Sequence, residues 1–278
     1  MPIRSPFPGF QETMRKQNAA YALVTGACSG IGLALAEGLA ARGHNLLLVS
    51  NREAPLAETR KELVDRFGIE VITLVLDLAI PSAASALFGE VNARRLAVEI
   101  LVNNAGVFFF GEVADAAPEH AERLLTLHVI TPSLLSTYFG KQMRSRRSGR
   151  ILFVSSISAF GDFPGIAYYG SSKKYLRGFA ASLRSELSAY GITVTCLLPG
   201  ATATALYDRS RIPVDLAQRI GVMAQPHTVA QQGLAALFSG QAECVPGLTN
   251  RVLSQIAAHT PQSFIDLLRR HAPWLPKP

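Results

Sequence analysis

The sequence predicts a single doubly wound α/β domain, one parallel sheet with helices on both faces, extended by a helical segment towards the C-terminal end. Three observations carry this. Short runs rich in Val, Ile and Leu recur along the chain, and stretches of helix-forming residues separate them, which is the order of successive βα units. The runs are apolar throughout instead of alternating with polar residues, as expected of strands covered on both faces. The breaks that contain Gly, Asn and Ser fall just after the runs, at the strand ends where such sheets bind ligands. With 278 residues, 49% of them hydrophobic, the chain can bury one large core.

Taken in order, residues 1–19 contain Pro2, Arg4, Pro6, Pro8, Arg15 and Lys16 and read as an arm outside the fold. The domain proper is expected over 20–247. Tyr21–Thr25 is a strand, Gly26-Ala-Cys-Ser-Gly30-Ile-Gly32 a glycine turn, and Leu33–Ala41 a helix. Such a turn lets backbone N–H groups approach a diphosphate at the positive end of a helix, although a purely structural tight turn has the same composition. Asn45–Ser50 is the next strand, Pro55–Phe67 a helix, Glu70–Leu76 a strand, and a helix runs on to about Arg95. Val98–Asn103 is a strand, Pro118–Arg144 one long helix, Arg150–Ser155 a strand, Ile166–Tyr190 a helix and Ile192–Leu198 a strand. The stretch 203–225 has little strand pattern and is expected to form a lid. Leu248–Arg270 reads as an amphipathic helical extension broken at Pro261.

Composition narrows the function classes. The formal charge is +7 and the pI about 9.6, but the basic residues are dispersed and not interleaved with aromatics, so no nucleic-acid partner is expected. The densest run, Arg144-Ser-Arg-Arg147, falls where a helix should end, and the helix dipole accounts for it. No apolar stretch approaches the roughly 18 residues of a membrane span, and no apolar leader follows Met1, so a cytoplasmic protein is expected. Cys28, Cys196 and Cys244 are widely spaced without paired histidines, which supports neither zinc nor a disulfide framework, and no metal is expected. Cys196 reads as core, while Cys28, in the glycine turn, reads as a packed or a reactive thiol.

The chemistry concentrates in Ser155–Lys173. Tyr169 and Lys173 are four apart and share a face if helical. Ser156 ends the apolar run Ile151–Val154, and Gly161, Pro164 and Gly165 can turn the chain back towards it. A phenol titrates near ~10, so using one as an acid or base near neutrality requires lowering its pKa by a few units, at about 1.4 kcal/mol each. Lys173 and the helix N-terminus provide positive charge for this. Seven Tyr and six Lys would place such a pair by chance about 0.15 times, so the pair gains its meaning from the motifs around it.

Those motifs resemble the short-chain dehydrogenase/reductase family, from Tyr21 to Thr204 and beyond. Thr25-Gly-Ala-Cys-Ser-Gly-Ile-Gly32, Asp77, Asn103-Asn-Ala-Gly106, Ser156, Tyr169-x-x-x-Lys173 and Pro199-Gly-x-x-x-Thr204 stand in family order. The resemblance implies a Rossmann-like oxidoreductase in which Tyr169 exchanges a proton with the substrate oxygen, Ser156 hydrogen-bonds that oxygen, and Lys173 holds the ribose and lowers the phenol pKa. It also implies a nicotinamide dinucleotide held by Gly26, Ser29, Gly30, Ile31 and Gly32 at the diphosphate, and by Asp77 and Leu78 at the adenine. Asn104, Ala105 and Gly106 would hold the ribose side, and Pro199, Gly200, Thr202 and Thr204 the carboxamide.

Cofactor choice turns on the end of the second strand, Val49-Ser-Asn-Arg-Glu53. An acid there would bond a ribose 2′-OH, whereas Asn51 and Arg52 favour the 2′-phosphate of NADP(H), with NAD(H) the alternative. The departure from the family is Leu125-Thr-Leu-His128-Val-Ile-Thr-Pro132, with His128 where the fourth catalytic position is usually Asn. His128 is expected to preserve the proton relay, to shift its pH dependence, or to be a packed neutral imidazole.

Phe108, Phe160, Phe163, Leu206 and Tyr207 surround the expected mouth and suit a small hydrophobic carbonyl or alcohol substrate. The family usually closes with a last strand, whereas here Glu243-Cys-Val-Pro-Gly247 leads into the extension at 248–278. Val252, Leu253, Ile256, Ala257, Phe264, Ile265, Leu267 and Leu268 give that extension apolar faces. Core cover or a homo-oligomer surface is the favoured use, and peripheral membrane contact the weaker one. The resulting expectation is an NADPH-dependent reductase of a hydrophobic ketone or aldehyde. Its rivals are an NAD-dependent alcohol dehydrogenase and a non-catalytic dinucleotide sensor or scaffold.

Overall fold

A computed structural model describes residues 20–203 and 223–271. The expected arm, most of the expected lid, and with it Thr204, Leu206 and Tyr207, lie outside the described residues. Seven parallel strands form one sheet in the order β3-β2-β1-β4-β5-β6-β7. They are β1 (Ala20–Thr25), β2 (Asn45–Ser50), β3 (Val71–Val75), β4 (Ala97–Asn103), β5 (Gly149–Val154), β6 (Ile192–Leu197) and β7 (Glu243–Cys244). The strand order reverses between β1 and β4, and this opens a crevice at their carboxyl ends.

The apolar runs are strands because nothing else in the fold buries both their faces. Leu46, Leu47 and Leu48 of β2 have no exposure at all, and odd and even positions feed different cores. Each fully buried leucine contributes about 1.5–3 kcal/mol. One core layer gathers α3 (Ala83–Ala93), α5 (Thr131–Arg146) and α6 (Ala167–Ser188) on one face. The other gathers α1 (Gly30–Ala40), α2 (Glu53–Phe67) and α7 (Pro226–Phe238). Arg144 and Arg146 occupy the last turn of α5, as dipole complementarity anticipates, with Arg147 in the left-handed cap.

Two expectations need correction. The single helix expected over Pro118–Arg144 is α4 (Pro118–Leu125), a π turn (Thr126–Ile130) and then α5. Pro132 supplies the cause: it has no N–H to give the carbonyl four residues back, which belongs to His128, and its ring crowds that carbonyl. Thr131 bonds to Thr126 O instead, five residues back. The second correction concerns Glu243–Cys244, which does close the sheet as a short strand paired with Cys196 and Leu197 of β6. Beyond it lie α8 (Leu248–His259) and α9 (Gln262–His271). Among the described residues no helix is long and apolar enough to cross a membrane.

Candidate active site

The crevice holds a cavity of about 1070 Å³. Its floor begins at the glycine turn between β1 and α1. Gly26 and Gly30 have φ of +65° and +56°, and a Cβ at Gly26 would stand 2.9 Å from Ala105 Cα. A Cβ at Gly32 would overlap the Gly26 carbonyl. Glycine is therefore required where the β1 and β4 loops cross. Ser29 at the N-cap makes no capping bond from its side chain, and the first turn of α1 carries no acid. Ser29, Gly30, Ile31 and Gly32 line the cavity, so an uncapped helix N-terminus faces it, suited to a diphosphate.

The other predicted cofactor positions gather around this turn. Thr25 Oγ1 accepts from Asn104 N and Ala105 N at 2.9 and 3.0 Å and donates to Val102 O. Asn104 Nδ2 donates to Thr25 O at 2.8 Å, so its side chain ties the two loops together while the residue lines the cavity. Asn103 is buried behind the wall and bonds Ser136. Ser50, Asn51 and Arg52 line the far end, where Arg52 N bonds Ser50 Oγ and the Arg52 guanidinium donates to Cys28 Sγ at 3.3 Å. Asp77 and Leu78 close that side. The Asp77 carboxylate pairs with Arg123 at 2.7 Å and accepts from Ala79 N, and the bond from Arg123 holds it below the usual carboxylate range. Gly106, Pro199, Gly200 and Thr202 complete the wall. The sequence singles out neither Thr25 nor Arg123 as a site residue; Thr25 opens the glycine motif, whereas nothing local marks Arg123.

Ser156, Tyr169 and Lys173 line the same cavity. Ser156 caps a 3-10 turn (Ile157–Phe160), and its Oγ accepts from Ser158 N at 3.1 Å. Tyr169 sits one turn before Lys173 on α6. Its ring is buried, edge-on to Phe108 at 5.0 Å and to His128 at 5.8 Å. Lys173 Nζ donates to Val154 O at 3.1 Å and lies 5.5 Å from the Tyr169 ring centroid. Burial lowers Lys173 to about 8. The Cys196 thiol, pushed up by burial to about 12, is neutral there and lends it no charge.

His128 has 1% exposure and uses both ring nitrogens. Nε2 accepts from Val107 N at 2.9 Å, which leaves the proton on Nδ1, 2.9 Å from Ser172 Oγ; that hydroxyl in turn donates to Tyr169 O. Burial, with a smaller push from the Lys173 charge, lowers its pKa well below the ordinary value, so the imidazole is neutral. Among the three expectations for this residue, the packed neutral imidazole has these contacts on its side.

On the substrate side, Phe108 and Phe163 line the cavity. Phe160 is not among the lining residues; it packs on the core under the Arg177 guanidinium, which lies 4.0 Å from its ring centroid. Five residues of α8 and α9 reach the wall, Leu253, Ile256, Ala257, Phe264 and Ile265, together with Thr260 between the two helices. The extension therefore faces the site, whereas its sequence pattern pointed to core cover or a homo-oligomer surface.

The comparisons agree with this geometry. A very-long-chain 3-oxooacyl-CoA reductase of Caenorhabditis elegans is 36% identical over 199 residues, which are 69% of this chain and 62% of that protein. A human protein named as an inactive hydroxysteroid dehydrogenase-like protein is 31% identical over 208 residues, 72% of this chain and 61% of its own. The chain thus spans under two thirds of these curated relatives. The solved short-chain dehydrogenase from Sphingobium yanoikuyae in complex with NADPH superposes with a TM-score of 0.76 at 29% identity, covering 89% of this chain and 95% of that one. A family model described as short chain dehydrogenase matches residues 20–213. With its crossed loops, its Ser156, Tyr169 and Lys173 in one cavity and that match, the chain belongs to the short-chain dehydrogenase family of NAD(P)-dependent oxidoreductases.

Proposed function

We propose that the protein reduces a hydrophobic ketone or aldehyde to the alcohol with NADPH, Tyr169 acting as proton donor. The observation that carries this is one cavity in which Ser156, Tyr169 and Lys173 meet the glycine turn at one side and apolar walls at the other. The glycine turn fits a dinucleotide: the space a Cβ would fill at Gly26 and Gly32 is taken by backbone, and the helix N-terminus is uncapped. The nicotinamide, when bound there, supplies the hydride. Tyr169 gives its phenolic proton to the carbonyl oxygen, so the C=O gains one hydrogen at carbon and one at oxygen. Ser156 Oγ accepts from Ser158 N; its own proton is then available to bond the same oxygen as negative charge develops on it. Lys173, protonated below about 8, offsets the phenolate left behind.

The 2′-phosphate reading is supported by Asn51 and Arg52 in the wall with no acid among the lining residues at this strand end. The NADPH complex of the Sphingobium relative points the same way. We read Ile130 and Tyr175, exposed at 43% and 42%, as part of a self-associating surface of a homo-oligomer.

The test is turnover of ketones and aldehydes with NADPH and NADH, alongside Tyr169→Phe. The wild type should oxidise NADPH with at least one hydrophobic carbonyl, and the variant should lose about 100-fold or more in kcat while still binding NADPH. The rival sensor reading draws on His128 and on the inactive human relative. NADPH binding without turnover across the whole panel would establish it instead.

A further inference from the structure

The family match ends at residue 213, yet α8 and α9 contribute a continuous part of the wall of the cavity that holds Tyr169. The helices are seated firmly. Ser254 and Ile265 are buried at 2% and 6% exposure and anchor them. A Cβ at Gly200 would overlap the Asn250 side chain, whose Nδ2 donates to Pro246 O at 2.8 Å. On the opposite side a Cβ at Gly161 would come within 3.4 Å of Ala257 O. The pair therefore packs directly on Gly200, where a side chain would overlap Asn250, and comes to ordinary contact distance of the loop after Ser156 at Gly161.

The surface these helices give the cavity is hydrocarbon. Ile256 and Phe264 are wall residues with 58% and 50% of their surface uncovered. Thr260, the polar residue of this wall, donates its hydroxyl to Ile256 O at 2.7 Å, so that proton is already engaged. A wall of this kind offers a polar head group little and an alkyl or ring system a good deal.

We infer that α8 and α9 form the subsite for the apolar tail of the substrate, and that Ile256 and Phe264 set how long a tail is accepted. This rests on the carbonyl-reductase reading above. Each methylene laid on the wall should raise kcat/KM about four-fold until the subsite is filled.

The test uses a series of straight-chain 2-alkanones with the wild type, Phe264→Ala, Phe264→Trp and Ile256→Trp, scored as the ratio of kcat/KM for the longest ketone to that for the shortest. A dansyl-labelled fatty acid, followed by fluorescence, reads the subsite without turnover. The Trp variants should lower the ratio about ten-fold or more and weaken probe binding, and Phe264→Ala should move the optimum to longer ketones. Unchanged ratios together with unchanged probe affinity in all three variants would overturn the inference. If no ketone turns over but the Trp variants still weaken the probe, the tail subsite stands and the reductase reading falls. Both side chains are half-exposed or more, so NADPH binding and circular dichroism should be unaffected in all three variants.

Discussion

Replacing His128 with Asn tests whether the imidazole is a neutral structural group. The native ring accepts from Val107 N and lies against Ser172 Oγ, both at 2.9 Å. The shorter amide cannot span both. Two bonds worth about 1 kcal/mol each are lost or weakened, and leaving one buried group unpaired costs about 1–3 kcal/mol, so the variant should be less stable by roughly 3 kcal/mol at pH 7.5. The pH dependence carries the sharper information. An unfolded histidine titrates near ~6.5, whereas burial holds the folded one well below that value. As pH falls through about 6.5 the unfolded chain binds a proton that the native chain refuses, so wild-type stability drops by about 1.4 kcal/mol per unit. The Asn variant lacks this term. The gap between the two should shrink from roughly 3 kcal/mol at pH 7.5 to roughly 1 kcal/mol at pH 5.0. Urea unfolding of both proteins at pH 7.5, 6.0 and 5.0 measures it. A gap that stays constant or widens on acidification would refute the neutral imidazole and place a charged His128 in the relay. Turnover above pH 6 should change in level but not in the shape of its profile.

Further outcomes follow from the same geometry. Lys173→Met should abolish most turnover yet relieve the burial of an ammonium lowered from 10.5 to about 8, worth roughly 3 kcal/mol before the lost bond to Val154 O is subtracted. Because the folded pKa is depressed, that advantage should be full below pH 8 and vanish as pH rises through 10.5, which thermal melts across pH would record. Arg52→Ala should raise the KM for NADPH about 10- to 100-fold with little change for NADH, the loss expected of one charge-assisted phosphate contact; equal effects on both cofactors would count against the 2′-phosphate reading. Gly26→Ala should weaken binding of both cofactors, because its φ of +65° and the 2.9 Å approach to Ala105 leave no place for a methyl group; titration of cofactor fluorescence would show it.

The sequence by itself determined whatever depends on neighbours a few residues away. Leu46–Leu48 can only be a strand buried on both faces, Gly26 to Gly32 only a close turn, and Tyr169 and Lys173 meet because they are one helical turn apart. Even the π turn was written locally, in Pro132 four residues after His128, although a helix-forming pattern on either side hid it. Tertiary structure decided what each group faces. His128 finds its partners 21 and 44 residues away. Arg123 reaches Asp77 across 46 residues. The two-residue β7 exists only because β6 is there to pair with it. Phe163 faces the cavity while Phe160, three residues earlier, packs on the core. The same holds for α8 and α9, whose apolar faces announce that they will be covered but not by what. An amphipathic pattern specifies a face, and only the packing of distant segments, here against Gly161 and Gly200, turns that face towards a cavity.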